Sequence, residues 1–365
     1  MTAEPPPLIP LHVRAVVLPG DERRDLWVDD RGLVRETEVT GAQTVATDAF
    51  VLPGLVDAHC HVGLDEHGGV PEDVQEQQIR ADRDAGTLLI RDAGVPVDTH
   101  WIDARDDLPR VIRAGRHIAR TKRYIRNYGE EIEPDQLVAE VERQAARGDG
   151  WVKLVGDWID RDAGDLASCW PADVAAAAID RAHALGARVT AHCFGEQSVA
   201  ELVAGGIDCI EHGTGITDEV VADMAARGTA LVPTRVQLDN FPAYAEAAGR
   251  FPAYAAHMRD LHARCDAVLR SAYDAGVPIY AGTDAGGVLP HGLIARELLA
   301  LHEQVGLVAD VAIGAGSWRA REWLGRPSLE DGSPADFVVY DEDPLADLRA
   351  LAHPRAVVLR GRVVS

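Results

Sequence analysis

Leu55-Val56-Asp57-Ala58-His59-Cys60-His61 is an apolar run that closes on two histidines one residue apart. Side chains two apart on an extended strand face the same way, so a strand here sets both imidazoles on one side of its end. Working outward, we read eight such runs: Gly54 to His61, Thr87 to Ala93, Arg110 to Ala114, Trp151 to Val155, Arg188 to His192, Cys209 to His212, Ala230 to Thr234 and Pro278 to Asp284. The intervals, such as Ala172 to Leu185 and Asp218 to Ala226, carry apolar residues at helical spacing and end in glycine, Gly186 and Gly228. Short apolar runs alternating with helices predict parallel strands with crossover helices, and eight units predict an α/β fold closed as a (β/α)8 TIM barrel. The rival is a doubly wound open sheet, but no glycine-rich dinucleotide fingerprint follows an early strand.

Outside these units the pattern turns to short strands. They run Leu11 to Leu18, Asp25 to Val28, Val34 to Val39 and Thr44 to Leu52 at one end, and Phe337 to Tyr340 and Ala356 to Leu359 at the other. We expect both ends to build one small β-sandwich domain, residues 1–54 plus 327–365, beside a barrel of residues 55–326. The long interval Asn240 to Ala275 predicts an extended helix or helical pair over the barrel mouth, broken near Pro242, Gly249 and Pro252.

A formal charge of -23 repels nucleic acid and anionic membrane surfaces, which leaves a small molecule as the expected partner and self-association open. No apolar run reaches bilayer length and no basic-then-apolar leader opens the chain, so the expected location is cytoplasmic. Five cysteines without a CxxC pair predict reduced, buried thiols. Among 36 basic residues only Lys122 and Lys153 are lysines. A lysine kept in such company is a candidate for chemistry that arginine cannot do.

In a barrel the active site lies at the carboxyl ends of the strands. Five runs carry metal-ligand types there: His59 and His61, Lys153, His192, His212 and Asp284. Imidazole and carboxylate suit zinc or a neighbouring ion, with positions left open for water. Lys153 sits among apolar neighbours, where an ammonium ion is costly. Its neutral amine can take up carbon dioxide to form a carbamate, whose two oxygens can bridge two cations. Its bland alternative is a salt bridge to Asp157 or Asp160.

Leu52-Pro53-Gly54-Leu55-Val56-Asp57-Ala58-His59-Cys60-His61, Ile210-Glu211-His212-Gly213-Thr214, Val232-Pro233-Thr234 and Gly282-Thr283-Asp284-Ala285-Gly286 occur in the order of the blocks of the amidohydrolase superfamily, which the chain resembles over nearly its whole length. The nearest likeness is to its imidazolonepropionase-like and prolidase-like branch. The resemblance implies two divalent ions, zinc by expectation. His59, His61 and Asp284 would hold one, His192 and His212 the other, with carbamylated Lys153 and a hydroxide bridging them. It implies hydrolysis of an amide, peptide-like or cyclic amide bond of a small molecule, with Asp284 as the catalytic proton carrier. Prolidase-type members carry a glycine- and histidine-rich segment after the third strand, where this chain has Thr121-Lys122-Arg123-Tyr124-Ile125-Arg126-Asn127-Tyr128.

Arg123, Tyr124, Arg235 and His291 are the candidate substrate-binding residues at the mouth, the arginines as carboxylate clamps. His117, His183, His257, His262 and His302 fall off the predicted rim and read as structural. Two rival activities use the same ligands: a mononuclear deaminase with Glu196 or Glu211 as proton donor, and an esterase or lactonase.

Overall fold

The computed structural model describes residues 7–365. Strand Leu55–Cys60 is buried at every position, and it pairs in parallel with Thr87–Asp92, which pairs in parallel with Arg110–Arg113. Apolar side chains on both faces are what a parallel strand covered on both sides requires. Helix Glu72–Asp84 makes the first crossover. A second sheet runs in the order Glu130–Ile132, Ile118–Arg120, Trp151–Val155, Arg188–Cys193, Cys209–His212 and Ala230–Val232, every pairing parallel. Helices Leu137–Arg147, Ala172–Ala184, Glu196–Ala204 and Asp218–Arg227 connect its members. The protein is thus α/β with parallel sheets.

The expected eighth strand differs from the reading of Pro278 to Asp284. No regular strand forms there, because Pro278 has no N–H and Gly282 lies against the first strand. A Cβ at Gly282 would stand 2.6 Å from the His59 Cβ, so only glycine fits. The segment still bonds to both neighbours. Leu231 N donates to Pro278 O at 2.8 Å on one side, and Ala58 N donates to Ala281 O at 2.8 Å on the other.

The chain ends meet in one hydrogen-bonded ladder. Seven strands are bonded in one mixed sheet, in the order Arg362–Val363, Ala356–Leu359, Phe337–Tyr340, Gln43–Pro53, Leu11–Val17, Arg23–Val28 and Val34–Arg35. The cause is the 11-residue strand Gln43–Pro53, which pairs in parallel with Leu11–Val17 and antiparallel with Phe337–Tyr340, so it joins both ends into a continuous ladder. Alternation along Leu11–Val17 buries Val13, Ala15 and Val17 beside Val51, Phe337 and Val339.

Between the seventh run and Pro278, helix Phe241–Ala247 packs on the 23-residue helix Pro252–Asp274, with the break at Gly249 and Pro252. All five cysteines are free and buried. Among the described residues no helix is long and apolar enough to cross a membrane.

Candidate active site

Of the six predicted ligands, His59, His61, His192 and His212 lie at or just past the carboxyl ends of their strands, Lys153 lies in the middle of Trp151–Val155, and Asp284 lies on the irregular segment after Pro278. His59, His61, Lys153, His192 and His212 are buried, and the Asp284 side chain is 16% exposed. Two residues before His59, the buried Asp57 carboxylate accepts from His59 N, Thr283 N and Thr283 Oγ1. It thereby locks the first strand to the segment carrying Asp284. Burial, then the nearby Asp82 charge, pushes the Asp57 carboxyl up to about 7.

His59 Nε2 and His61 Nε2 both stand 3.0 Å from Asp284 Oδ1. The other nitrogen of His61 donates to Gly94 O at 2.8 Å, and His212 Nδ1 meets Thr234 Oγ1 at 2.7 Å. Ring centroids lie 5.3 Å apart for His59 and His212 and 4.7 Å for His192 and His212, so four imidazoles and one carboxylate surround one space. Lys153 reaches the group through Glu211: its Nζ contacts Glu211 Oε2, and Oε1 of that carboxylate is 3.3 Å from His59 Nδ1. The partner of Lys153 is therefore neither Asp157, which caps Phe194 N and Gly195 N, nor Asp160, which pairs with Arg123.

Three of the six described non-glycine residues with positive φ lie here. His212, Thr234 and Asp284 have φ of 65°, 47° and 58°, a left-handed conformation costing non-glycine residues about 1–3 kcal/mol each. Such outliers gather where geometry serves function.

Electrostatics prepare the same groups for a cation. Burial, then the Lys153 charge, drives the His59 imidazolium down to about 4, and burial also lowers His61, His192 and His212. Burial alone would raise the Asp284 carboxyl, but His59, His61 and His212 around it hold it well below the usual range. Burial, against the Asp284 attraction and with Arg91 repelling, brings the Lys153 amine down to about 7. The set is thus neutral imidazoles, an ionised carboxylate and a readily neutral amine. His192 Nε2 is buried without a partner, and ligand atoms of His59, His212 and Asp284 lie within 4.8 Å of one another. A divalent cation fits these residues.

The cavity above them holds about 650 Å³ and includes Asp284 and His192 in its wall. Six more of its wall residues are aromatic: Tyr124, Trp158, Phe194, Tyr244, Phe251 and Tyr254. Tyr124 thus stands where the sequence placed it, but three companions do not. Arg123 spends its guanidinium on Asp160, Trp158 O and Ala167 O, pinning the hairpin Asp157–Asp160 to Asp165–Ser168. Arg235 is paired with Asp239 and Asp266. His291 is buried on Asp82 at 2.7 Å, so it anchors the loop after Asp284 to helix Glu72–Asp84 instead of lining the mouth. The cations at the cavity wall are Arg161 and Arg250, which the sequence reading missed.

His117 was also read as structural, yet its ring stacks on His61 at 5.0 Å and tilts against Tyr124 at 5.4 Å. Both its nitrogens are buried without partners. The available signal was its position three residues beyond the third run, on the same rim as the ligands. Glu196, one of two proposed proton donors, is held by His257 and Arg264 away from the group, whereas Glu211 lies within it.

Parallel strands that gather titratable groups at their carboxyl ends define an α/β enzyme. The chain belongs to the amidohydrolase family, whose model matches residues 50–364, and it is a hydrolase. It is 56% identical over 353 residues to an uncharacterized protein of Mycobacterium tuberculosis, covering 96% of this chain and 95% of the other. An ochratoxinase of Aspergillus niger is 29% identical over 174 residues, 46% of this chain and 35% of that one. Among solved structures, a Xaa-Pro dipeptidase superposes with a TM-score of 0.80 at 22% identity over 97% of this chain and 99% of its own, which speaks to the fold.

Proposed function

We propose that this protein hydrolyses an amide, peptide-like or cyclic amide C–N bond of a small molecule, using two divalent cations held by His59, His61, Lys153, His192, His212 and Asp284. The observation that carries this is the convergence of His59 Nε2 and His61 Nε2 on one oxygen of Asp284, with His192 Nε2 left unpartnered nearby. When bound, the cations would make water a nucleophile near neutral pH and polarise the scissile carbonyl. Asp284, ionised and reaching the cavity, takes the proton from the attacking water and delivers it to the leaving nitrogen. Lys153 is suited to bridge as a carbamate because burial favours its neutral amine.

The aromatic walls favour a substrate with a flat or apolar body, seated by stacking. The names ochratoxinase, of a protein similar in part of its sequence, and Xaa-Pro dipeptidase, of one similar in fold, agree with this reading. We extend the reading to the scaffold. The bonds that Pro278 and Ala281 accept link the two parallel sheets and support an eight-stranded barrel over residues 55–326, with 1–54 and 327–365 as one appended β unit.

A second reading draws on the Lys153–Glu211 contact: one ion, with Lys153 kept as ammonium and Glu211 as proton donor, as in a mononuclear deaminase. The two separate in one experiment. Purified protein is assayed for metal content and offered N-acyl amino acids, dipeptides, lactams and aminated purines and pyrimidines. Our reading expects about two ions per chain, carboxylate release from amides and no ammonia from the bases. Full activity after complete removal of metal would overturn it.

A further inference from the structure

An imidazole that offers one nitrogen to a cation needs its other nitrogen held. Gly94 O does this for His61 and Thr234 Oγ1 for His212. His59 Nδ1 is buried without an aligned hydrogen bond, and the acceptor beside it is Glu211 Oε1 at 3.3 Å. That carboxylate is fully buried and crowded by donors. Thr190 Oγ1 at 2.7 Å and Arg91 Nη2 at 3.3 Å meet Oε1, while Lys153 Nζ meets Oε2. One side chain therefore touches two of the six proposed ligands.

With Lys153 alone, Glu211 would be half of an ordinary buried ion pair, and loss of the lysine charge would strand it. Arg91 removes that difficulty. Its guanidinium is buried, donates to Ala58 O at 2.7 Å and lies 4.6 Å over the Trp151 ring. Glu211 keeps a fixed cationic partner whatever state Lys153 adopts.

Resting on the metal reading above, we propose that Glu211 is a positioning residue for the metal centre. It accepts from His59 Nδ1, so that Nε2 faces the ion, and it steers the Lys153 amine toward the same space. The sequence places it one residue before a ligand, where simple alternation would turn it away. The positive φ of His212 lets both side chains serve the site.

The test is zinc affinity, measured by chelator competition on the folded wild-type protein and on Glu211→Gln, Glu211→Asp and Thr190→Val, with thermal unfolding of each metal-free form alongside. Glu211→Gln should weaken zinc binding about 10- to 100-fold, the range for lost partners of metal-bound histidines. Glu211→Asp should regain part of this, and Thr190→Val, which removes one donor to Oε1, should cost about threefold. A merely structural role predicts lowered stability with zinc affinity of the folded protein unchanged, and that result overturns the proposal. Should Glu211→Gln fail to fold, unchanged affinity in both Glu211→Asp and Thr190→Val overturns it equally. A wild-type protein that binds no zinc removes the metal reading first, and this inference with it.

Discussion

The seven-stranded sheet and the ends of the parallel strands are built from the same residue types by opposite rules. In the sheet, alternation along Leu11–Val17 sends Val13 and Ala15 inward and Arg14 out, and the buried Asp336 carboxylate is capped by Arg360 N, with Arg360 at a φ of 48° and the Tyr340 hydroxyl as the sheet's own exceptions. At the strand ends, three residues adopt left-handed backbone, and His117 and His192 keep buried nitrogens without partners. An unpaired buried polar atom costs about 1–3 kcal/mol, so the second region is stable only because the rest of the fold tolerates it. The lesson is that the sheet is arranged mainly for packing, and the strand ends for chemistry.

That contrast can be broken by substitution, beginning where the effect should be largest. Asp284→Asn should lower kcat about 10²–10⁴-fold in a steady-state amide assay while the protein stays folded, because a proton carrier is lost. Unaltered turnover would show that Asp284 moves no proton. In the sheet the sign reverses: Phe337→Ala should cost about 3–5 kcal/mol in denaturant unfolding and leave the kcat of the folded protein as it was. A change in kcat without a change in stability would erase the distinction between the regions.

Smaller effects sharpen the picture at the cavity. Trp158→Ala removes an aromatic wall and should raise KM for an aromatic amide about tenfold, with little change for a small aliphatic one. Equal losses for both would argue against stacking. Finally, the metal-free protein should lose stability as pH falls. His59 is neutral in the folded state down to about 4 but titrates at the ordinary imidazole value of 6.5 when unfolded, so the unfolded chain binds the proton first across that window. His59→Asn should flatten the slope there by one proton, read from unfolding free energy against pH.

Much of this was legible in the sequence because metal-ligand residues at the ends of apolar runs are few and ordered. The eighth run was mistaken for a regular strand because Gly282 answers to the close approach of His59, a contact 223 residues away in sequence. The arginine clamp failed for a compositional reason. With 59 acidic residues available, Arg123 and Arg235 each found a carboxylate closer than any substrate. Sequence proximity points Lys153 to Asp157 or Asp160, but strand register places it against Glu211, 58 residues on and two strands across. His117 reads as structural because an isolated buried histidine is usually satisfied, whereas in the fold both its nitrogens lack partners.

The most direct test is a crystal of the protein grown with zinc, with diffraction measured on both sides of the zinc absorption edge. We predict two anomalous peaks, one among His59, His61 and Asp284, the other between His192 and His212, with continuous density joining Lys153 to both. Zinc-free density among these side chains, or peaks bound only elsewhere on the surface, would contradict the account.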